Sequence, residues 1–304
     1  MTEEIEIVDR ILKLKEQRDA VILAHNYQIG EVQDIADFVG DSLELSIKAS
    51  EVKSKVIVFC GVRFMAETAK ILNPSKTVLL PDDNAGCPMA NMIDAKDVLK
   101  LREKYPQAVI VCYVNSTAQV KALVDICCTS ANAHKIVSAL PKDKQIVFIP
   151  DKYLGTYVSG ITGKEMILWK GYCPIHAFIN GLQILELKKE HPKAQVLVHP
   201  ECKPEVTSIA DKVLSTGGML KFAGESSAEE FIIGTEVGII HRLSKQNPSK
   251  IFYAAQKNAK CLDMKIINLK KIMLALEENI FEITLPEDII RKAKASLERM
   301  KEYV

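Results

Sequence analysis

Three cysteines recur at nearly equal intervals along this chain. Cys87, Cys173 and Cys261 lie 86 and 88 residues apart, in the sequences AGCPMANM, GYCPIHAF and NAKCLDMK. A repeat of this period predicts one unit copied three times, with one thiol in each copy. If the copies pack around a common centre, the three thiols meet there. Three thiolates without an obvious fourth are typical of a metal centre that keeps one coordination position open for chemistry.

The sulfur ligands limit the choice of metal. Pro88 and Pro174 directly follow two of the cysteines, and proline is favoured in the first turn of a helix. Cys87 and Cys173 are therefore expected at helix N-termini, where the dipole favours the thiolate that binds metal. Three soft ligands suit zinc or an iron–sulfur cluster. Most [4Fe–4S] clusters have four cysteine ligands, so a cluster held by three leaves one iron free as a Lewis acid for the loss of a hydroxyl.

The other five cysteines fall outside the repeat. Cys60 and Cys112 lie inside apolar strands and are expected in the core. Cys127 and Cys128 are adjacent, so their side chains point in different directions and make a poor chelate. Cys202 follows a strand end directly, and a place near the site remains open for it.

Composition excludes several classes of protein. The chain has 304 residues, 48% of them hydrophobic, and a formal net charge of +1. It is long enough for two or three domains, and its mixed charges argue against a nucleic-acid or membrane-surface partner. Residues 1–17 are typical of an amphipathic helix rather than a signal peptide, and the apolar runs are strand-sized. A cytoplasmic protein is therefore expected.

Each copy contains the same order of elements: an apolar strand, a helix, a serine-bearing turn, a second strand, a helix, a third strand and the cysteine. Strands that alternate with helices predict an α/β fold of parallel βαβ units, and their continuous apolar character fits strands covered on both faces. The predicted repeats span residues 18–92, 106–180 and 193–268. The N-terminal helix 1–17 and the C-terminal segment 269–304 are expected to pack on them.

Polar residues recur at matching places of the copies. Ligands of parallel sheets bind outside the carboxyl ends of the strands, and turns before helices can present hydroxyls and amides to an anion. A single histidine is more often structural and a single serine is often a helix cap, but equivalent positions in three copies favour a shared anion pocket. The strand-end residues are His25, Asn115, His199 and Glu201, and the turn residues are Ser42, Ser130, Ser215 and Thr216.

Ten short motifs, in order and over nearly the whole chain, resemble the quinolinate synthase family. They are HNYQ (25–28), DIADFVGDSLELS (34–46), CPMA (87–90), YVNST (113–117), TSANA (129–133), GYCPIH (171–176), HPEC (199–202), STGGM (215–219), GTEVG (234–238) and CLDMK (261–265). The resemblance implies three pseudo-threefold-related αβα sandwich domains with parallel sheets and an active site at their common interface. It also implies one [4Fe–4S] cluster per chain, held by Cys87, Cys173 and Cys261.

The implied reaction condenses iminoaspartate with dihydroxyacetone phosphate to quinolinate, with loss of phosphate and water, in NAD biosynthesis. An upstream aspartate oxidase or dehydrogenase is the expected functional partner. Gly30 departs from the family pattern, where a proline would follow HNYQ, and this concerns the turn geometry. A closely spaced cysteine motif found near the C-terminus of some relatives is absent from the sequence, so thiol–disulfide control through it is not implied.

Roles can be assigned within the implied reaction. Glu201 is the candidate general base, and its neighbour His199 could project to the same side of the strand end. Tyr27 and Tyr113 could exchange hydrogen bonds with a substrate carbonyl. The residues expected to bind substrate are His25, Ser42, Asn115, Ser130, His176, Ser215 and Thr216. The three histidines outside these positions are expected at the surface or in packing, namely His134, His191 and His241.

Two other functions remain open from the residues alone. The first is a zinc-dependent hydrolase on the same three cysteines, with water at the fourth position. The second is a non-enzymatic iron–sulfur carrier, although a carrier would not need histidine, tyrosine, asparagine and glutamate side chains at strand ends.

Overall fold

The computed structural model describes residues 2–303, in which three four-stranded sheets contain only parallel strand pairs. The first sheet consists of β1 (Ala20–His25), β2 (Phe38–Gly40), β3 (Val56–Cys60) and β4 (Thr77–Leu79). The second consists of β5 (Val109–Tyr113), β6 (Ile126–Cys128), β7 (Ile146–Ile149) and β8 (Ile167–Leu168). The third consists of β9 (Gln195–Val198), β10 (Lys212–Val213), β11 (Glu230–Gly234) and β12 (Ile251–Ala254).

The three sheets share one strand order, with the second strand at one edge, followed by the first, third and fourth. In this order the chain reverses direction across the sheet between the first and third strands, and ligands bind at such switch points. The architecture confirms the predicted α/β class with three parallel sheets. Each sheet falls within one predicted repeat, and the repeat boundaries themselves stay a prediction.

The edge strands β2, β6 and β10 were not expected from the sequence. They are two or three residues long, and each lies just before a serine-bearing turn. So short a segment carries little periodicity of its own. The pairing is therefore visible only in the folded chain, for example where His25 faces Gly40 across β1 and β2.

Helices connect the strands and cover the sheets. They are α1 (Thr2–Arg18), α2 (Gly30–Ile35), α3 (Ser42–Glu51), α4 (Arg63–Leu72), α5 (Ala95–Lys104), α6 (Ala118–Lys121), α7 (Ala133–Ala139), α8 (Lys152–Thr162), α9 (Pro174–Phe178), α10 (Gly181–Glu190), α11 (Pro204–Thr207), α12 (Thr216–Glu225), α13 (Ile239–Gln246), α14 (Leu262–Lys265), α15 (Leu269–Glu278) and α16 (Glu287–Lys301). A 3₁₀ turn spans Ala90–Met92. Among residues 2–303 there is no helix with the length and apolar character that crossing a bilayer requires.

The cores of the sheets differ in extent. One continuous apolar core joins the first two sheets with α15 and α16, whereas the third sheet has a smaller cluster on each of its faces. Helix α1 packs against α15, and α16 packs against β6 and α6, so both terminal segments cover the first two sheets. Cys60, Cys112, Cys127 and Cys128 are fully buried, as core residues should be.

Gly30 and the outlying histidines have packing explanations. A Cβ atom at Gly30 would lie 2.8 Å from the ring of His241, so glycine here makes room for that ring. His241 in turn contacts Asp34 at 2.8 Å. His191 stacks on Tyr253 with ring centroids 3.8 Å apart. Both histidines lie outside the cavity described below, as expected for packing residues.

Candidate functional site

One cavity collects nearly all the residues singled out in the sequence. Thirteen of the fourteen line it, and Ser215 is the exception within the described chain. The thirteen are His25, Tyr27, Ser42, Cys87, Tyr113, Asn115, Ser130, Cys173, His176, His199, Glu201, Thr216 and Cys261. They come from all three sheets, mainly from the loops that follow the carboxyl ends of the strands. The cavity thus lies where the three parallel sheets meet.

The cysteines Cys87, Cys173 and Cys261 form what we call the thiol wall, and each follows the last strand of its sheet. Cys173 is the N-cap of α9, with Pro174 in the first turn, as predicted. The prediction of a helix directly after Cys87 is wrong, because a turn and the 3₁₀ segment follow it and α5 begins only at Ala95. Cys261, in contrast, is the N-cap of α14, a helix start without a proline to signal it.

Burial opposes the thiolates that are expected on the thiol wall. Burial raises the pKa of Cys87 to about 12 and that of Cys261 to about 11. Burial also raises the pKa of Cys173 well above its usual range, and Glu201 adds to this effect. Backbone N–H groups at the start of the following turn lower each pKa, but burial outweighs them. A bound cation would supply the missing compensation, since metal binding deprotonates thiols.

The spacing of the donor atoms separates two kinds of metal centre. Between residues 2 and 303, one group of three potential ligands has all its donor atoms within 4.8 Å of one another, namely Cys173, His176 and Glu201. This group could hold a metal ion. The three thiols of the thiol wall do not form such a group, although tetrahedral zinc would place its sulfurs about 3.8 Å apart. At least two of these thiols are therefore more than 4.8 Å apart, farther than a single tetrahedral zinc ion would place its sulfurs.

Another part of the cavity lining consists of five buried side chains, which we call the polar wall: Tyr27, Tyr113, His176, His199 and Glu201. Glu201 is at its centre: Tyr113 Oη donates to Glu201 Oε1 at 2.5 Å, and His176 Nδ1 lies 2.8 Å from Oε2. His199 Nδ1 is 4.0 Å from Oε1, and its ring stacks on that of His176. The carboxylate is thus enclosed by possible donors.

Sequence reasoning missed Thr235, which links two members of the polar wall. Its Oγ1 lies 2.6 Å from Tyr27 Oη and 2.8 Å from His176 Nε2. It occupies the GTEVG motif directly after β11, so its position at a strand end was the available signal. On the other side of the wall, His199 Nε2 is 3.2 Å from Ser130 Oγ.

Burial and neighbouring groups set the protonation of the polar wall. Burial lowers the pKa of His25 and of His199 to about 3, so both imidazoles are neutral at physiological pH. Burial alone would raise the pKa of Glu201, but His176, His199 and Tyr113 together hold it at about 2. Burial, reinforced by Glu201, raises the pKa of both Tyr27 and Tyr113. The wall therefore combines one carboxylate with the neutral imidazole of His199 and two protonated tyrosines.

The hydroxyl of Ser215 makes contacts within the protein and does not line the cavity. Its hydroxyl caps α12 by accepting from Gly218 N–H and donates to Asp41 Oδ2 at 3.0 Å. The N–H of Gly217 also donates to Asp41, so a carboxylate from the first sheet already occupies this helix N-terminus. Of the two alternatives for this serine, the helix cap is the one observed, and its neighbour Thr216 is the residue that faces the cavity.

Other polar groups of the cavity have unused capacity. Asn115 Oδ1 is buried and accepts no hydrogen bond from residues 2–303. Ser42, the first residue of α3, lines the cavity, while Asp41 caps that helix. Cys202 is buried outside the lining, and its Sγ donates to Gly234 O at 3.4 Å. An unpartnered acceptor in a cavity that is also lined by hydroxyl groups is suited to a polar ligand.

Comparison with known proteins accounts for this arrangement. The family model described as "Quinolinate synthetase A protein" matches residues 9–302. A quinolinate synthase of Thermodesulfovibrio yellowstonii is 56% identical to this chain, with 96% of this chain and 97% of the relative covered. Quinolinate synthases of Dehalococcoides mccartyi and Methanosarcina barkeri are 54% and 50% identical, over 97% and 98% of both chains. This chain therefore belongs to the quinolinate synthase family.

Proposed function

We propose that this protein condenses iminoaspartate with dihydroxyacetone phosphate to form quinolinate, with loss of phosphate and water. The observation that carries the proposal is that a thiol from each sheet and a carboxylate-centred polar wall line the same cavity. The reaction must form a C–C and a C–N bond and remove hydroxyls. It needs a proton acceptor, neutral hydrogen-bond donors and a Lewis acid within reach of one substrate.

The cofactor of this proposal is one [4Fe–4S] cluster, held by Cys87, Cys173 and Cys261. Three soft sulfurs fit such a cluster, and their spread is wider than a single zinc ion would set. When bound, the cluster supplies one iron without a protein ligand, which can polarise a departing hydroxyl.

The polar wall would manage protons and the substrate carbonyl. Glu201 carries its negative charge throughout the physiological range, so it can accept a proton or stabilise positive charge that develops nearby. Its pKa of about 2 makes it a weak base while Tyr113 and His176 contact it. We therefore propose that a substrate draws these groups away, which would strengthen Glu201 as a base. Tyr27 and Tyr113 stay protonated and can donate to a carbonyl oxygen.

The hydroxyl and amide groups of the cavity would hold the anionic parts of the substrates. Ser42, Ser130 and Thr216 come from three different sheets and reach the same space, and Asn115 adds a buried amide. His25 and His199 are neutral, so each can offer one N–H to a carboxylate oxygen. Ser215 would contribute through α12 and Asp41 rather than by contact with the substrate.

A zinc site is the second candidate, and we propose different ligands for it than the three cysteines considered from the sequence. Cys173, His176 and Glu201 have the spacing and donor types of a single-ion site, unlike the three cysteines together. The approach of His176 to Glu201 can, however, be explained without an ion, because the two form a pair by themselves. A non-enzymatic iron–sulfur carrier is not favoured, because carrying a cluster does not require the side chains of the polar wall.

Anaerobic purification followed by metal analysis and assay tests the proposal. We expect a brown protein with about four irons per chain and little zinc. It should form quinolinate from dihydroxyacetone phosphate and iminoaspartate, the latter generated in the assay by an aspartate oxidase, the proposed upstream partner. A colourless protein with one zinc would favour the second candidate. A brown protein without quinolinate formation would favour the carrier.

A further inference from the structure

In two of the three loops that carry the cysteines, the backbone N–H of the cysteine donates to a buried acidic side chain. The backbone N–H of Cys173 donates to Asp151 Oδ2 at 3.3 Å, and the N–H of Cys261 donates to Glu236 Oε1 at 3.1 Å. Both carboxylates are fully buried, with no exposed surface. A buried carboxylate needs hydrogen-bond donors, so each contact stabilises both the acid and the loop.

The two acids occupy equivalent positions in their repeats. Asp151 is the second residue after β7, and Glu236 is the second residue after β11. The same position in the first repeat, two residues after β3, holds Val62, which has an apolar side chain and lines the cavity. The acid near the Cys87 loop comes instead from the third repeat, because Asp263 lies beside Gly86, the residue before Cys87. The first repeat therefore has no acid of its own at this position.

Further contacts fix each acid to a rigid element. Asp151 Oδ1 caps α8 by accepting from the N–H groups of Tyr153 and Leu154, at 2.7 and 2.9 Å, so that Oδ2 remains for Cys173. Close backbone packing supports this loop, because a Cβ at Gly171 would lie 2.5 Å from Pro150 O.

Glu236 is held in a similar way. Its Oε2 accepts from Gly238 N–H at 2.7 Å, and Lys265 Nζ lies 3.0 Å from Oε1. Lys265 also donates to the backbone oxygen of Tyr27, which connects the Cys261 loop to the polar wall. Asp151 thus connects the start of α8 to Cys173. Glu236 connects its ion pair with Lys265 to Cys261.

We propose that Asp151 and Glu236 are positioning residues that hold the loops of Cys173 and Cys261 in the orientation needed for the metal centre. The inference rests on the proposed function only for the identity of the bound group. The contacts themselves belong to the protein without metal.

Isosteric variants test the proposal. Asp151→Asn keeps an oxygen for capping α8 but turns an amide N–H₂ toward Cys173, and Glu236→Gln is the corresponding change in the third repeat. Matched controls are Asp125→Asn and Asp211→Asn, because each of these acids accepts a backbone N–H of a first strand at 2.7 Å, away from the cysteines. If Asp151→Asn does not fold, Asp151→Ser replaces it, since serine can cap a helix but is too short to reach Cys173.

The first measurement is amide hydrogen exchange on the metal-free protein. We expect peptides that contain Cys173 and Cys261 to exchange about tenfold faster in their respective variants than in the unaltered protein or the controls. Equal exchange in variants and controls would overturn the proposal.

The second measurement uses the anaerobically reconstituted protein. Iron release to a ferrous chelator should be about tenfold faster in Asp151→Asn and Glu236→Gln than in the controls, with an altered electron paramagnetic resonance spectrum of the reduced centre. Unchanged release and spectrum in both variants would also reject the positioning role. If the unaltered protein bound no iron–sulfur cluster, the proposed function would fail, while the exchange experiment would still decide on the anchors.

Discussion

The polar wall and the thiol wall of the cavity are held in place by different means. On the polar wall side chains contact one another: Tyr113 donates to Glu201, and Thr235 joins Tyr27 to His176. On the thiol wall the three sulfurs face backbone N–H groups, and the N–H groups of Cys173 and Cys261 donate to buried acids. The side chains of the polar wall therefore hold one another in place, whereas the positions of the thiols depend on the backbone of their loops.

Protonation shows the same difference. The carboxylate of Glu201 is charged and its partners compensate the cost of burial, so its pKa is low. The thiols are buried without such partners, and their pKa values are high. Thiols in this state bind a metal only with loss of protons, which makes assembly of the centre dependent on pH. The polar wall should therefore survive loss of the metal centre, while the thiol wall depends on it.

Removal of a thiol gives the largest expected effect. Cys87→Ser, Cys173→Ser and Cys261→Ser should each abolish assembly of a complete cluster and with it quinolinate formation, because serine lacks the soft sulfur ligand. Iron and sulfide content after anaerobic reconstitution, together with the assay, measures this. The folded polar wall should persist in all three variants.

Two other cysteines serve as controls. Cys202→Ser keeps a hydroxyl that can donate to Gly234 O, and Cys60→Ser lies in the core of the first sheet away from the cavity lining. Both should retain the cluster and most of the activity. Four irons per chain and full activity in the three thiol-wall variants would refute the ligand assignment.

Loss of the central charge of the polar wall should leave the thiol wall intact. Glu201→Gln is expected to keep the full iron content but to lower kcat by about 10²–10⁴-fold, the usual contribution of a general base. Glu67→Gln is the matched control, since Glu67 is buried and accepts Ala118 N–H but does not line the cavity. A Glu201 variant with near-normal kcat would remove this residue from the mechanism, and one without iron would mean that the two walls are not independent.

The two walls could be predicted from the sequence to different extents. The thiol wall followed from spacing alone, because equal intervals in a repeat place equivalent residues near one centre. The contact of Ser215 with Asp41 could not be read from the sequence, because the two residues are 174 positions apart in the chain. Thr235 and Glu236 were visible as a motif after a strand, but their partners Tyr27 and Cys261 become neighbours only when the sheets meet. Contacts between repeats leave no local pattern in the sequence.

The smallest expected effect is on the pH dependence of stability. His25 and His199 have a pKa of about 3 in the folded protein but 6.5 when unfolded, so only the unfolded chain takes up protons between these values. The contribution of these two histidines to the free energy of unfolding should therefore be fully present above pH 6.5. It should fall as the pH approaches 3, by about 1.4 kcal/mol per pH unit for each histidine. Glu201 adds to the loss only below its ordinary value of 4.5.

His199→Gln should flatten this dependence, because it removes one of the two imidazoles whose pKa is lowered to about 3 by burial. We expect the slope of the unfolding free energy between roughly pH 6 and pH 5 to fall by about half, measured by denaturant titration of the metal-free protein. Ser130→Ala is the matched control, since it removes the contact with His199 Nε2 but leaves the titrating ring. The Ser130→Ala variant should lower the free energy of unfolding by the same amount at both ends of this pH range. If His199→Gln kept the full slope, the imidazole would not be neutral in the folded protein, and the polar wall would carry a positive charge beside Glu201.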